Sequence, residues 1–472
     1  MTYIYNTLTK QKELFRPINS PKIGLYVCGL TVYDDCHIGH GRLFIWFDTL
    51  VRYLRSIGYQ VIYVRNITDI DDKIIKRAKE LGIDYKKLTT QVISSMHADE
   101  KLLNTIPPNF EPRVTDHISE VIDMIQILIN KGFAYTAKNG DVYYSVEKFK
   151  TYGELAHQDI DNLVLGARVE TNEEKQNPLD FVLWKAAKPE EPSWSSPWGN
   201  GRPGWHIECS AMAKKYLGNT FDIHGGGNDL QFPHHQNELA QSEAANGSPL
   251  ANYWMHIGFV QNNQEKMSKS LGNFFTLKEI LNKYPPEVLR FFILMSHYHS
   301  PVNFSEENLN NAETALRRFY IALRNLPSEN IIEADANSSQ FYKNFHLAME
   351  DDFNTPKAIS TLFDITREIN QLRDTKQLLK AQQQCALLKY LGGILGLLQE
   401  IPSVFLKSGV NSDIIETLIA SRDQERQNKD WQKADKIRDK LVAMGITLED
   451  TKSSTSWFVE DRKKYLESMR NN

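Results

Sequence analysis

The sequence predicts an α/β protein: a Rossmann-like doubly wound parallel sheet split by an insertion, then an α-helical bundle and a small C-terminal α+β domain. Three observations carry this. Strand-like and helix-like runs alternate over residues 23–118. Strand-like runs return at Phe221 to His224 and Trp254 to Val260 after an irregular stretch. Beyond residue 310, apolar residues fall at helical spacing.

Ile23 to Cys28 and Val61 to Val64 are short, continuous apolar runs, the pattern of strands buried on both faces. Leu43 to Ile57 between them has the length of a helix, so the three form a βαβ unit. Residues 1–118 then make the first half of a nucleotide-binding sheet domain. Residues 119–199 read as the insertion: a helix (Ile118 to Lys131), a hairpin-like stretch (Phe133 to Val146) and the Pro/Gly/Trp-rich Pro189 to Gly204. The second half follows over 200–260, and 261–310 begins with a polar loop. Ala312 to Leu326, Tyr342 to Met349, Ala358 to Leu372 and Leu378 to Leu398 predict a helix bundle over 311–400. Residues 401–411, with Pro402 and Gly409, read as a linker into a C-terminal unit ending at 472. There, one strong helix precedes strand- and turn-rich sequence.

The bulk numbers narrow the class. In 472 residues, 41% are hydrophobic and 24% charged, a globular profile with ample core material. A net charge of −4 excludes a globally basic nucleic-acid binder and leaves room for a local basic surface. The N-terminal stretch carries no secretory pattern, and no run approaches the roughly 20 apolar residues that span a bilayer. Four cysteines do not make a disulfide framework. The expectation is a reduced, cytoplasmic, monomeric protein with no membrane partner.

Two short motifs carry the chemistry. His37-Ile38-Gly39-His40 lies between the first strand-like run and the helix-like run after it. A strand, a glycine-containing turn and a helix start leave backbone N–H groups and a helix dipole facing an anion. Lys266-Met267-Ser268-Lys269-Ser270 falls in the polar loop after Trp254 to Val260, where two lysines can meet charge developing on a phosphoryl group. A third pattern is more dispersed. Cys28 closes the first strand, Cys209 lies in Gly204-Trp205-His206-Ile207-Glu208-Cys209, and His234 and Glu238 are four apart after Pro233. Positions i and i+4 share a helix face, and a Cys₂-His-Glu set suits Zn²⁺. By spacing alone, the cysteines read equally as small buried hydrophobes and His234 as a core histidine.

The ordered pair of motifs resembles the signature pair of class I aminoacyl-tRNA synthetases, which activate an amino acid with ATP. Tyr26 to Tyr33, Tyr63 to Lys73, Gly201 to Met212 and Phe221 to Glu238 resemble one family among them, the cysteinyl-tRNA synthetases, and the likeness spans essentially the whole chain. The resemblance implies one zinc held by Cys28, Cys209, His234 and Glu238, with substrate L-cysteine bound through its thiolate. It implies that His37, Gly39 and His40, with Lys266, Ser268 and Lys269, bind ATP and its Mg²⁺. His37, His40, Lys266 and Lys269 would be catalytic. Gly29, Thr31, Thr68, Trp205, His224 and Asp229 resemble the cysteine pocket. His206 and His235 are candidate supports of the metal ligands, and Cys36 and Cys385 read as structural.

Arg422, Arg426, Lys429, Lys433, Lys436 and Lys440 are spaced by four, three, four, three and four, a continuous basic stripe if one helix carries them. Trp431, Trp457 and Phe458 are candidates for base stacking. The segment Lys429 to Asp439 resembles the family's anticodon-binding helix, which makes 401–472 an anticodon-binding domain for tRNA(Cys). Arg426, Trp431, Asp435 and Asp450 are its candidate readers. Two rivals stand beside this reading: a related ligase joining cysteine to an amino-sugar acceptor, and a non-catalytic tRNA-binding descendant. The basic C-terminal segment argues against the first, and the intact signature residues against the second.

Overall fold

In the computed structural model, a four-stranded parallel sheet organises the N-terminal part of the chain. Residues 1–157, 174–262, 265–266, 275–326, 339–450 and 455–470 are described, 265–266 as backbone only. The sheet strands are β1 (Lys22–Thr31), β2 (Gln60–Thr68), β3 (Phe221–Gly227) and β4 (Ala251–Ile257), in the order β4-β3-β1-β2. Leu25, Tyr26 and Val27 of β1 are fully buried, as a strand covered on both faces requires. Helix α1 (Ile38–Ser56) crosses from β1 to β2, and its Phe44, Ile45, Phe47 and Leu50 are buried. After β2 the chain returns on the other side of β1 to add β3 and β4. The order therefore reverses between β1 and β3, and in such sheets ligands bind beyond the strand C-termini at that reversal.

Two more helices frame this point: α2 (Ile207–Leu217) and α3 (Gln236–Asn246). The insertion holds the expected helix (Ile118–Asn130) and hairpin (Ala134–Thr136 with Val142–Tyr144). Phe181–Ala186 and Gly201–Pro203 extend the hairpin to a four-stranded antiparallel sheet. Met124, Ile125 and Leu128 pack with Tyr144, Leu183 and Trp184 in one core. The strand Gly201–Pro203 is too short and too rich in Gly and Pro to be legible as a strand.

The chain divides into two compact units, the first of Met1–Lys101, Thr105–Phe259 and Tyr298–Pro301, the second of Leu102–Asn104, Val260–His297 and Val302–Asn472. The second unit opens with a small sheet of Glu265–Lys266, Val260–Asn262 and Val302–Phe304. Four long helices follow as expected: Glu306–Leu323, Gln340–Glu350, Thr355–Asp374 and Leu378–Ile394.

Two expectations about the C-terminal part need correcting. Residues 401–411 are not a plain linker, because Pro402–Lys407 is helical and the Phe405 ring stacks on Tyr320 at 4.0 Å. The basic stripe is not continuous. Arg422 and Arg426 lie on the helix Ser412–Gln427, Lys429 sits at φ +60°, and Asp430 caps a separate helix, Trp431–Ala443, that carries Lys433, Lys436 and Lys440. Asp430 accepts the Lys433 N–H, and an N-cap with a left-handed residue before it ends one helix as it starts the next. The hairpin Ile446–Asp450 with Thr455–Val459 and the helix Arg462–Arg470 complete this region.

Candidate active site

Cys28, Cys209, His234 and Glu238 converge, with one donor atom from each within 4.8 Å of all the others, and all four residues are buried. The sequence explains how each arrives. Between Val27 and Leu30 the pairing of β1 with β2 slips by a residue, and this bulge holds Cys28 and Gly29. The Gly29 N–H donates to Asn66 Oδ1 at 2.8 Å, and a Cβ on Gly29 would lie 1.7 Å from the Asn66 carbonyl oxygen, so only glycine fits. Cys209 comes from the first turn of α2, and Glu238 from the first turn of α3, with His234 in the helical turn before it.

The polar contacts within the cluster are close. The Cys28 thiol donates to Glu238 Oε1 at 3.0 Å, and His234 Nε2 lies 3.0 Å from the same oxygen. His224 Nε2 meets the other oxygen, Oε2, at 2.9 Å. Beyond His234, the ring nitrogens Nδ1 of His206 and His234 are 2.9 Å apart, which leaves His234 Nε2 facing the donor set. His235 Nε2 is 3.9 Å from Glu238 Oε1, and its Nδ1 bonds His256 Nε2 at 2.8 Å.

These contacts set the protonation. Burial raises the Cys28 thiol, as does its hydrogen bond to Cys209. Burial also raises Cys209, but its interactions with Cys28 and His234 outweigh it and bring that thiol to about 7. Burial opposes a charge on His234, yet the Glu238 carboxylate raises it to about 10. Burial likewise opposes the Glu238 charge, and His224 and His234 overcome it and hold the carboxyl low. His206 and His235 are kept neutral, first by burial.

The donor set fits zinc. A tetrahedral ion holds sulfur at about 2.3 Å and nitrogen or oxygen at about 2.0–2.2 Å, so its donors lie within about 4 Å of one another, close to the observed spread. Cys28 and Glu238 also group with His224 and His235. A further group, His97, Glu100 and Glu111, is occupied by Arg65, which pairs with both carboxylates.

The predicted pocket residues divide by exposure. Thr68 is buried and donates to Glu208 Oε2 at 2.9 Å. Thr31 ends β1 opposite Thr68. Trp205 is exposed, its ring 4.5 Å from that of His234. His224 is fully buried, stacked on Trp254 at 4.7 Å. Asp229 lies exposed on the turn after β3. Asn66 and Glu208, which stand in the segments that carry the family likeness, join the site beyond the residues the sequence points to. Burial and the neighbouring Cys209 keep the Glu208 carboxyl well above its ordinary range.

His37 caps α1. Its Nδ1 accepts the His40 N–H at 3.2 Å, His40 Nδ1 accepts the His37 N–H at 3.3 Å, and the two rings stack at 3.5 Å. A Cβ at Gly39 would lie 2.8 Å from the His37 ring, so the glycine makes room for that imidazole. Lys266 ends the strand Glu265–Lys266, of which only the backbone is described. Ser268 and Lys269 lie outside the described residues.

In the C-terminal unit, Trp431 is 60% exposed at the start of its helix, and Asp435 is exposed on the same helix. Asp450 is taken by arginines: Arg422 binds it through two nitrogens at 2.9 and 2.7 Å, and Arg426 lies 3.2 Å away. Trp457 and Phe458 are not available for base stacking. Both are buried, Trp457 in the core with Ile415, Leu441 and Tyr465, and Phe458 under the Arg324 guanidinium at 3.9 Å.

Comparison with known proteins identifies the family of the chain. A family model described as "tRNA synthetases class I (C) catalytic domain" matches residues 14–314. A DALR domain model matches 344–399, and a "Cysteinyl-tRNA ligase anticodon binding domain" model matches 411–457. A cysteine–tRNA ligase of Pseudomonas aeruginosa is 54% identical over 465 residues, 98% of this chain and 100% of that one. One from Haemophilus influenzae is 55% identical over 460 residues, 97% of this chain and 99% of its own. Among solved structures, a Mycobacterium tuberculosis methionyl-tRNA synthetase in complex with methionyl-adenylate has the same fold. It aligns with a TM-score of 0.57 at 14% identity, covering 82% of this chain and 91% of that one. With the catalytic and anticodon-domain models both matched and the identity sustained from end to end, the chain belongs to the cysteinyl-tRNA synthetases, a family of class I aminoacyl-tRNA synthetases.

Proposed function

We propose that this chain is a cysteine–tRNA ligase that selects L-cysteine at a zinc held by Cys28, Cys209, His234 and Glu238. The observation that carries the reading is the convergence of those four donors at the reversal point of the sheet, with Cys28 on the strand that leads to His37. The match to a cysteinyl anticodon domain separates this from the amino-sugar ligase.

The reaction has two steps. The cysteine carboxylate attacks the α-phosphate of Mg²⁺-bound ATP and pyrophosphate leaves. A terminal ribose hydroxyl of tRNA(Cys) then takes the cysteinyl group and AMP departs. Neither step needs a protein nucleophile, so positioning and charge stabilisation dominate. His37 and His40, held ring on ring at the start of α1, contact the ATP phosphates, and Lys266 and Lys269 meet the charge that grows as pyrophosphate leaves. Trp205 covers the amino acid, Thr31 and Thr68 line its pocket beside Gly29, and Asp229 receives its ammonium group.

Zinc in this donor set supplies strong affinity for a thiolate and little for a serine hydroxyl. The chain's own part is to hold that set in shape. His224 holds Glu238 through Oε2, which keeps the other oxygen, Oε1, facing Cys28 and His234. We assign the enzyme no editing activity, and hydrolysis of seryl-tRNA by the purified protein would count against this. The protein is read as a cytoplasmic monomer; among the described residues, no helix is long and apolar enough to cross a membrane.

The test is metal content measured together with cysteine-dependent ATP–pyrophosphate exchange and charging of tRNA(Cys). One zinc per chain with both activities is the expected result. Exchange without charging would favour the amino-sugar ligase, and neither activity would favour a non-catalytic tRNA binder. In the same assay Lys269→Ala should impair activation far more than cysteine binding, by about 100-fold in kcat. Equal losses in both would remove that role.

A further inference from the structure

Arg462, the first residue of the last helix, joins three separate stretches of chain. Its Nε donates to the Gly409 carbonyl at 3.0 Å, its Nη2 to the Lys283 carbonyl at 2.9 Å, and its Nη1 to Glu313 Oε2 at 3.1 Å. Its guanidinium also lies 5.6 Å from the centre of the Tyr284 ring. Gly409 has φ +75°, and a Cβ there would lie 2.3 Å from Arg462 Nε, so that approach requires glycine.

Each partner marks a different region of the second unit. Lys283 ends the helix Leu277–Lys283, the first helix after Lys266 among the described residues, and its carbonyl is one of the acceptors that a helix C-terminus leaves unpaired. Glu313 is buried midway along the helix Glu306–Leu323. Its other oxygen, Oε1, pairs with Arg317, which is fully buried. Arg317 in turn donates to the carbonyls of Leu406, Ser408 and Val459. Val459 ends the last hairpin strand, and that hairpin carries Asp450 on its other strand. Arg324, at the end of the Glu306–Leu323 helix, pairs with Glu449, next to Asp450.

One carboxylate between two guanidiniums thus ties the hairpin beside the candidate anticodon readers to the helix that follows Lys266. A buried ionic group of this kind adds little net stability over apolar packing. What it adds is direction, since a guanidinium fork fixes its carbonyl partners in both distance and angle.

We propose that Arg462 is a positioning residue that couples anticodon occupancy of the C-terminal unit to the rate of the reaction, through Glu313 and the Leu277–Lys283 helix. This rests on the proposed tRNA ligase function. Anticodon contact orders the hairpin and the last helix, and Arg462 passes that order to the Lys283 carbonyl.

The test is a double-mutant cycle on the full-length enzyme, with Arg462→Ala on one axis and an anticodon-altered tRNA(Cys) on the other. Without tRNA, pyrophosphate exchange by the variant should stay within about twofold of the original. Charging of the unaltered tRNA should lose about tenfold in kcat with little change in KM, and the penalty for the altered anticodon should shrink by at least about fivefold. Circular dichroism checks that the variant folds. If it does not, Arg462→Lys replaces it, since a lysine keeps the charge beside Glu313 but cannot hold both carbonyls, and the same shrinkage is expected. Unchanged anticodon penalties that simply multiply with the variant's own loss would overturn the coupling, as would a loss confined to KM. If the unaltered protein exchanges pyrophosphate and charges no tRNA, the ligase function fails first, and the inference fails with it.

Discussion

Cys28, Cys209, His234 and Glu238 are each at most 3% exposed and are held by buried or half-buried groups, whereas Trp431 and Asp435 of the C-terminal unit stand open on one helix. Under the proposed function both regions serve recognition, of a thiol in the first and of a nucleic acid in the second. The four-donor cluster brings two thiols, an imidazole and a carboxylate out of water, which is tolerated only where each charge meets a partner. That requirement fixes its geometry before any ligand arrives. The C-terminal surface has no such constraint, since its readers stay hydrated until tRNA covers them. Discrimination between sulfur and oxygen needs the first kind of site, and reading a large, wet partner can use the second.

The largest test of this contrast removes a buried donor. Cys209→Ser should lower kcat/KM for cysteine-dependent pyrophosphate exchange by on the order of 1,000-fold, roughly 4 kcal/mol, and bound zinc should fall with it. Zinc retained at full stoichiometry with normal exchange would mean that these four side chains are not the ligand set. Next in size is Trp457→Ala. Trp457 is a core residue of the C-terminal unit, so its truncation should cost that unit about 3–5 kcal/mol, seen as an early transition in thermal melting. Pyrophosphate exchange should persist while charging is lost. A variant that melts normally and fails only to bind tRNA would return Trp457 to the surface role the composition suggested.

His206→Ala tests the support beneath the metal ligands. With its contact to His234 Nδ1 removed, zinc affinity should drop by about 10–100-fold, measured by competition with a chelator. An unchanged affinity would show that His234 is oriented without it.

The two regions also differed in how far the sequence exposed them. Cys28 was legible because it closes an apolar strand and precedes a glycine, and His234 with Glu238 because helical spacing puts them on one side. Asn66 and Glu208 carried no such pattern. An asparagine within a strand and a glutamate in a first helical turn acquire roles only when β2 pairs with β1 and meets α2. In the C-terminal unit, periodicity misled. Spacings of three and four ran across a turn, and Asp430, an N-cap residue in plain view, was the signal that two helices were present. Trp457 and Phe458 are adjacent in a strand and so face opposite sides. Both are covered only because the unit's core packs on one face and Arg324 on the other, which composition does not encode.

A smaller effect is expected at the exposed tryptophan. Trp431→Ala should leave the melting temperature unchanged and raise KM for tRNA about tenfold, within the range of one lost base stack. Pyrophosphate exchange should be unaffected. A shift in melting instead would place Trp431 among the packing residues and erase the contrast with Trp457.

The smallest effect separates structure from reading at Asp450. The hydrogen bonds from Arg422 hold its carboxyl well below the ordinary carboxylate range, with Thr455 and the nearby Arg426 adding to the effect. A group depressed in the folded state stabilises that state above its ordinary pKa of about 4, and the benefit drains away as pH falls below that value toward the folded one. Because the pair is partly exposed, solvent and salt screen it, and Asp450→Asn should cost about 1 kcal/mol or less at pH 7. The gap between the two proteins, read from thermal unfolding, should narrow at pH 3 and in high salt. If Asp450 instead meets an anticodon base directly, the variant should lose charging of tRNA(Cys) well beyond that small destabilisation, and restoring stability with lower temperature should not recover it. Recovery on cooling would assign the carboxylate to holding Arg422 and Arg426 in place, leaving the base contacts to Trp431 and its neighbours on the open helix.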